Sequence, residues 1–271
     1  MQFQRRENGM KRTVCSLMLL FAVLGMFAQQ DYNVVYVGNS ITYGALHKHP
    51  ERTSPPVVCS QWLAQQDGVG ECNHVNMGKS GRTTFNFVPV KTGIKNHWNE
   101  LKSKTADLVN RFPRAQLVFS IMLGTNDAAE RPANSRTTPY MYKHNMELIV
   151  DSLLALYPKA HVVIHRPIFF SAPFITKNGS LQSKVGQKML TVYFKQVKSI
   201  ISHFEDRYPG QVHAGDKEAY NYFKKNYRTQ LVHERGYQNC DFWLHPNEEG
   251  SKVLAEYWGR GIVKALGIGR K

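Results

Sequence analysis

Short apolar runs recur along the chain at Val34 to Val37, His74 to Met77, Leu117 to Leu123, His161 to His165 and, more weakly, Gln211 to Ala214. They lack the regular polar alternation of a half-exposed strand, as expected of strands buried on both faces of a parallel sheet. Between them, helical spacing of apolar residues predicts helices over Val57 to Gln65, Gly93 to Val109, Pro139 to Tyr157 and Ser183 to Tyr208. A last helix opens after Pro246, where Val253, Leu254, Tyr257, Trp258 and Ile262 make an apolar stripe that reads as core. Strand and helix in alternation predict an α/β protein, a three-layer α/β/α sandwich with a mostly parallel sheet. The chain has 271 residues, enough for one sizeable core, and shows no repeat, low-complexity linker or internal boundary.

The N-terminus stands apart from this pattern. Lys11 and Arg12 precede the apolar run TVCSLMLLFAVLGMFA, which is short for a membrane span and sits where a secretory signal peptide belongs. We therefore expect a leader over residues 1–28 and a single domain over 29–271, exported to the periplasm or secreted, with no stable membrane insertion once the leader is cleaved. Export would leave Cys59, Cys72 and Cys240, so at most one disulfide is expected. Cys-x-x-Cys pairs and a His-Glu-x-x-His run are both missing, so the sequence predicts no metal and no other cofactor. The formal net charge is +15, but the basic residues are scattered and match no nucleic-acid-binding module. Solvated basic faces, or attraction to an acidic polysaccharide, account for the charge better than nucleic acid does.

The first strand runs into Gly38-Asn39-Ser40-Ile41-Thr42. A sharp turn there would present the Ser40 hydroxyl at the carboxyl end of the sheet, where open α/β folds keep their ligand crevices. An ordinary turn in which Ser40 caps the next helix is the competing reading. A G-x-S-x-G elbow is not formed, because Thr42 stands where its second glycine belongs. Three further stretches fall at or after predicted strand ends: NMGKSGRTT (Asn76 to Thr84), MLGTNDA (Met122 to Ala128) and DFWLHPNEEG (Asp241 to Gly250).

Together with GNSIT, these stretches resemble in order and spacing the four sequence blocks of the SGNH hydrolases, also called the GDSL esterase/lipase superfamily. The resemblance runs from about Tyr32 to Trp258 and implies the flavodoxin-like SGNH fold and ester hydrolysis through an acyl-enzyme. It assigns Ser40 as nucleophile, His245 as base, and Ser40, Gly81 and Asn126 as the oxyanion hole, with Gly78 a competing glycine. These residue types suit acyl transfer, which needs a nucleophile, a base and donors aimed at the oxygen that becomes negative. Pro246 biases His245 toward an extended backbone and stands in the first turn of the following helix.

Two positions depart from the family pattern. Asn39 replaces the usual aspartate, and its amide can still brace the turn. The acid normally lies three residues before the histidine, but that residue here is Phe242. Asp241, from the same stretch, is the first choice to complete the catalytic set, with Asp216, Glu234 or a backbone carbonyl as alternatives.

Exported single-domain relatives of this kind resemble carbohydrate esterases, so the implied substrate is an O-acetylated carbohydrate, acidic glycans included. Arg82 and Arg166 are the substrate-contact candidates, with Arg131 and Arg136 behind them. A lysophospholipase or thioesterase, and a carbohydrate-binding protein without turnover, are the alternative readings.

Overall fold

The computed structural model describes residues 29–90, 95–130, 136–177 and 179–269. The leader expected over 1–28, and Arg131, lie outside the described residues. In chain order the elements are β1 (Gln30–Gly38), α1 (Ser40–Tyr43), α2 (Pro50–Thr53), α3 (Pro55–Leu63), β2 (Val69–Gly78), a 3₁₀ turn (Thr84–Asn86), α4 (Trp98–Arg111), β3 (Gln116–Met122) and α5 (Pro139–Leu156). There follow β4 (His161–Ile164), β5 (Phe174–Ile175), β6 (Leu181–Gln182), α6 (Lys184–Phe204), β7 (Val212–Ala214), α7 (Ala219–Gln230), β8 (Leu231–Arg235), a 3₁₀ turn (Tyr237–Asn239), β9 (Asp241–Pro246) and α8 (Glu248–Leu266).

The five expected strands form one sheet in the order β2-β1-β3-β4-β7, with every pair parallel. That is the flavodoxin-like order, in which the chain starts in the sheet and first winds toward one edge, then returns over β1 toward the other. Val34, Val35, Tyr36 and Val37 of β1 are completely buried because the strand is flanked on both sides and covered on both faces. Each such aliphatic side chain contributes about 1.5–3 kcal/mol by leaving water. Helix α3 packs on α8 and α5 on α6, which gives the two helical layers. Their inward faces carry Leu254, Trp258 and Ile262 on α8 and Leu190, Tyr193, Val197, Ile200 and Phe204 on α6, at steps of three and four residues. Trp258 stacks on Tyr36 of β1 with ring centroids 6.0 Å apart, joining the last helix to the first strand.

Several details differ from the sequence expectation. Helix α4 begins at Trp98, and Gly93 and Ile94 of the expected helix lie outside the described residues. Pro246 ends β9 instead of entering the last helix; Asn247 is the N-cap, its Oδ1 accepting from Gly250 N–H at 2.8 Å. Helix α7 and the antiparallel hairpin β8–β9 were not foreseen. The three thiols are unpaired, and burial pushes Cys72 up to about 11 and Cys59 higher still.

Two glycines set the geometry at the carboxyl edge of the sheet. Gly38 and Gly78 lie side by side in the β1–β2 register, and the chain leaving Gly38 turns at once into α1. A Cβ on Gly78 would stand 2.2 Å from the Tyr43 nitrogen and 2.6 Å from the Thr42 carbonyl carbon, both backbone atoms of α1. Gly78→Ala must therefore push α1 off the sheet, and the expected cost is about 1–3 kcal/mol of folding stability. Urea denaturation of the two proteins measures it; an unchanged midpoint would contradict this packing.

Candidate active site

Asn39 resolves the question of the turn after β1. Its side chain accepts from Ile41 N–H at 3.0 Å, so Asn39, not Ser40, caps α1. Ser40 is the first helical residue, and its hydroxyl is left for another partner. That partner is His245, whose Nε2 lies 2.8 Å from Ser40 Oγ. On the far side of the ring, His245 Nδ1–H donates to Glu234 Oε1 at 2.9 Å, and the same oxygen accepts the His245 backbone N–H at 3.2 Å. A carboxylate at Nδ1 fixes the tautomer that leaves Nε2 to accept the serine proton, and it stabilises the imidazolium that results. Both side chains are only 13% exposed, which limits competition from water for this bond.

The carboxylate that holds His245 is therefore Glu234, one of the sequence alternatives, and Asp241 is corrected: it does not reach the imidazole. The reason is strand geometry. Asp241 to Pro246 is extended, and at about 3.3 Å per residue its four-residue separation from His245 spans about 13 Å. Asp241 instead turns outward, 2.9 Å from His233 and 3.7 Å from Arg235 in an exposed cluster. Glu234, far closer in space than in sequence, comes from the opposing strand, where it pairs with Phe242. The register shifts between Leu231 and His233, a bulge beside the histidine of the kind that re-aims side chains.

The corner that carries His245 is tied down from three sides. His47 Nε2 lies 3.0 Å from the Pro246 carbonyl and 3.2 Å from Ser251 Oγ. Asn247 donates through Nδ2 to Thr229 O at 2.8 Å and through its backbone to Gln230 O.

The two remaining oxyanion candidates face one cleft of about 290 Å³, lined by Gly81, Arg82, Lys95, Asn126, Gln182 and Leu244 among others. Gly81 is the third residue of the turn closed by Arg82 N–H to Lys79 O, and its φ of 74° lies in the region that favours glycine. Gly78 is ruled out as the cleft glycine because it is packed against α1. Asn126 Nδ2 donates to the Arg82 carbonyl at 3.0 Å, so the two loops are in register with each other. Asp127, which sequence reasoning passed over, reinforces this link. Its buried carboxylate accepts from Thr84 Oγ1 at 2.6 Å and from Thr84 N–H at 3.2 Å, and Asn145 on α5 donates to the same Thr84 hydroxyl. The cleft meets a second groove, of about 580 Å³, at Thr176 and Leu244, and that groove is lined by His245 and Glu234.

The arginine candidates separate. Arg82 lines the cleft, whereas Arg166 does not: its guanidinium lies 3.7 Å over the Tyr220 ring and donates to Thr191 Oγ1 at 2.6 Å. Arg166 is thus corrected to a packing role, and Arg136 is occupied by an ion pair with Glu130. His165 is fully buried between Ser120 Oγ and the Asp216 backbone N–H, both at 3.0 Å, and burial pulls its pKa down to about 3. It is a neutral core histidine. Among the described residues, no cluster of three or more His, Cys, Asp or Glu side chains is arranged to hold a metal ion.

A parallel sheet that presents a serine, a histidine held by a carboxylate and two backbone-linked loops at its carboxyl edge defines a serine acylhydrolase architecture. The chain belongs to the GDSL-like lipase/acylhydrolase family, whose sequence profile matches residues 36–253. Comparison with curated proteins gives no match. Among solved structures it is similar to an acetylxylan esterase from Geobacillus stearothermophilus, at 17% identity and a TM-score of 0.51 over 90% of this chain and 97% of that one. A carbohydrate acetylesterase family member from Sinorhizobium meliloti is similar at 14% identity and a TM-score of 0.53, over 88% and 100% of the two chains. A lipase/acylhydrolase from Enterococcus faecalis is similar at 16% identity and a TM-score of 0.51, over 89% and 98%. At these identities the likeness is one of fold.

Replacing Glu234 by Gln should lower kcat on p-nitrophenyl acetate by about 10⁴, the scale for losing the ionised acid of such a set. Asp241→Asn should stay within about fivefold of wild type, since it breaks only exposed ion pairs. The reverse ranking would return the acid to Asp241.

Proposed function

We propose that this acylhydrolase is a serine esterase that removes small acyl groups, acetyl foremost, from carbohydrates. The observation that carries the reading is the continuous relay from Ser40 through His245 to Glu234. As Ser40 Oγ attacks the ester carbonyl carbon, His245 Nε2 takes its proton. The carbonyl oxygen becomes negative and faces the Ser40 and Gly81 N–H groups and the Asn126 amide, neutral donors that gain strength as charge appears. Collapse of this intermediate breaks the bond to the sugar oxygen, which leaves with the proton from His245. Water then enters, gives its proton to His245 and attacks the acyl-enzyme, and the second collapse returns the proton to Ser40 Oγ and releases the carboxylic acid.

The cleft supports a short acyl group on a polar substrate. Its volume of about 290 Å³ and its lining by Arg82, Asn86, Lys95, Asn126 and Gln182 suit a sugar better than an alkyl chain. This favours a carbohydrate ester over a lysophospholipid or long-chain thioester. The Glu234 contact, which completes the hold on His245, supports turnover over a carbohydrate-binding protein without it.

Ser40→Ala should retain the fold and lose about 10⁶ in kcat, with acetate release from acetylated glycans as the assay. Asn126→Ala should lower kcat by about 10² to 10³ with little change in KM. Hydrolysis of long-chain acyl esters at rates above those of acetylated sugars would overturn the substrate class.

A further inference from the structure

The residue beside the oxyanion glycine carries a charge without an internal counterion. Arg82 Nε donates to His97 Nε2 at 3.1 Å, and His97 Nδ1–H donates to Glu100 at 3.1 Å. For the imidazole to accept from a guanidinium it must be neutral. Burial, helped by the Arg82 and Lys79 charges, holds His97 below the usual histidine range against the pull of Glu100. The Glu100 carboxylate is meanwhile engaged by Lys79 Nζ at 2.5 Å. His97 therefore orients Arg82 and does not neutralise it, and no carboxylate pairs with Arg82 among the described residues.

Lys95 stands in the same lining and likewise has no carboxylate partner among the described residues. Its backbone is held: the Lys95 carbonyl accepts from Asn86 Nδ2 at 2.5 Å, Asn96 Nδ2 donates to Val88 O at 2.7 Å, and His97 N–H donates to Asn86 O at 2.7 Å. Every ionisable residue lining this cleft is basic. A neutral sugar would leave both cations without a counterion, whereas a carboxylate on the substrate would pair with them by charge-assisted hydrogen bonds, which an Arg fork suits well. Residues 29–271 keep a net charge of +12, since Arg5, Arg6, Lys11 and Arg12 against Glu7 put +3 of the total +15 in residues 1–28, and that charge would also draw an acidic polymer toward the cleft.

We propose that the sugar unit accepted here carries a carboxylate, bound by Arg82 and Lys95 beside the oxyanion hole, so that the preferred substrate is an acetylated uronic acid residue. The inference rests on the carbohydrate-esterase reading above. Arg82 and Lys95 are specificity-determining residues in it, and His97 is a positioning residue acting through Arg82.

The test compares acetate release from O-acetylated methyl galacturonide with release from its C6 carboxamide, which has nearly the same shape and no charge. Wild type should favour the acid by about tenfold in kcat/KM, the scale of one hydrogen bond to a charged group at the low end of its range. That preference should shrink as salt is raised. In the Arg82→Gln/Lys95→Gln double variant the ratio of the two substrates should fall to about one. A wild-type ratio near one, or a ratio that survives in the double variant, overturns this inference alone. Hydrolysis of p-nitrophenyl acetate but of neither sugar overturns the carbohydrate reading and this inference with it.

Discussion

The imidazole of His245 is held at both nitrogens, 2.8 Å from Ser40 Oγ and 2.9 Å from Glu234 Oε1, and the chemistry of the site depends on that double hold. Its three members come from the first residue of α1, from β8 and from β9. They meet only when the sheet has formed, α1 has turned back over Gly78, and the β8–β9 hairpin has closed at the carboxyl edge. The parallel sheet supplies a rigid edge, and the hairpin supplies both the histidine and the carboxylate that orients it. Because base and acid lie on adjacent strands of one ribbon, their spacing is set by cross-strand pairing and not by a flexible connection.

The other half of the site depends on a buried carboxylate with no proton-transfer part to play. Asp127 joins the loop after β3 to the loop after β2 through Thr84, and Asn126 adds a second link through the Arg82 carbonyl. These bonds hold Gly81 and Asn126 on one cleft wall, where donors must be preorganised if they are to stabilise charge without rearranging. The same turn that places Gly81 makes Arg82 its immediate neighbour. The proposed determinant of substrate charge and the proposed donor to the reacting oxygen are thus carried on consecutive residues.

Much of this was legible in the sequence because it is local. Each strand of the central sheet is buried on both faces and reads as an apolar run, and Ser40, Gly81, Asn126 and His245 stand at strand ends inside recognisable blocks. Helix α7 escaped because its sequence, AYNYFKKNYRTQ, is dominated by polar and charged residues and buries only Ala219, Tyr220 and Phe223. Glu234 was legible only as one carboxylate among several. Its contact comes from a hairpin register that sets Glu234 opposite Phe242 and within side-chain reach of His245, and no short-range pattern encodes that approach. Asp241 lies in the right stretch of sequence, but β9 is extended there and carries it along the strand away from the imidazole. Arg166, at the end of β4, had the right sheet edge but is taken up by Tyr220 and Thr191.

The central claim is that Ser40 is a nucleophile activated by His245 under the hold of Glu234. Covalent labelling with a fluorophosphonate, followed by mass mapping and rate measurement, tests it most directly, because phosphonylation reports nucleophilicity whatever the natural substrate. The account predicts one adduct per chain, on Ser40, that forms far more slowly in Glu234→Gln and at an ordinary rate in Asp241→Asn. An adduct on another residue, or a labelling rate indifferent to Glu234, would contradict it.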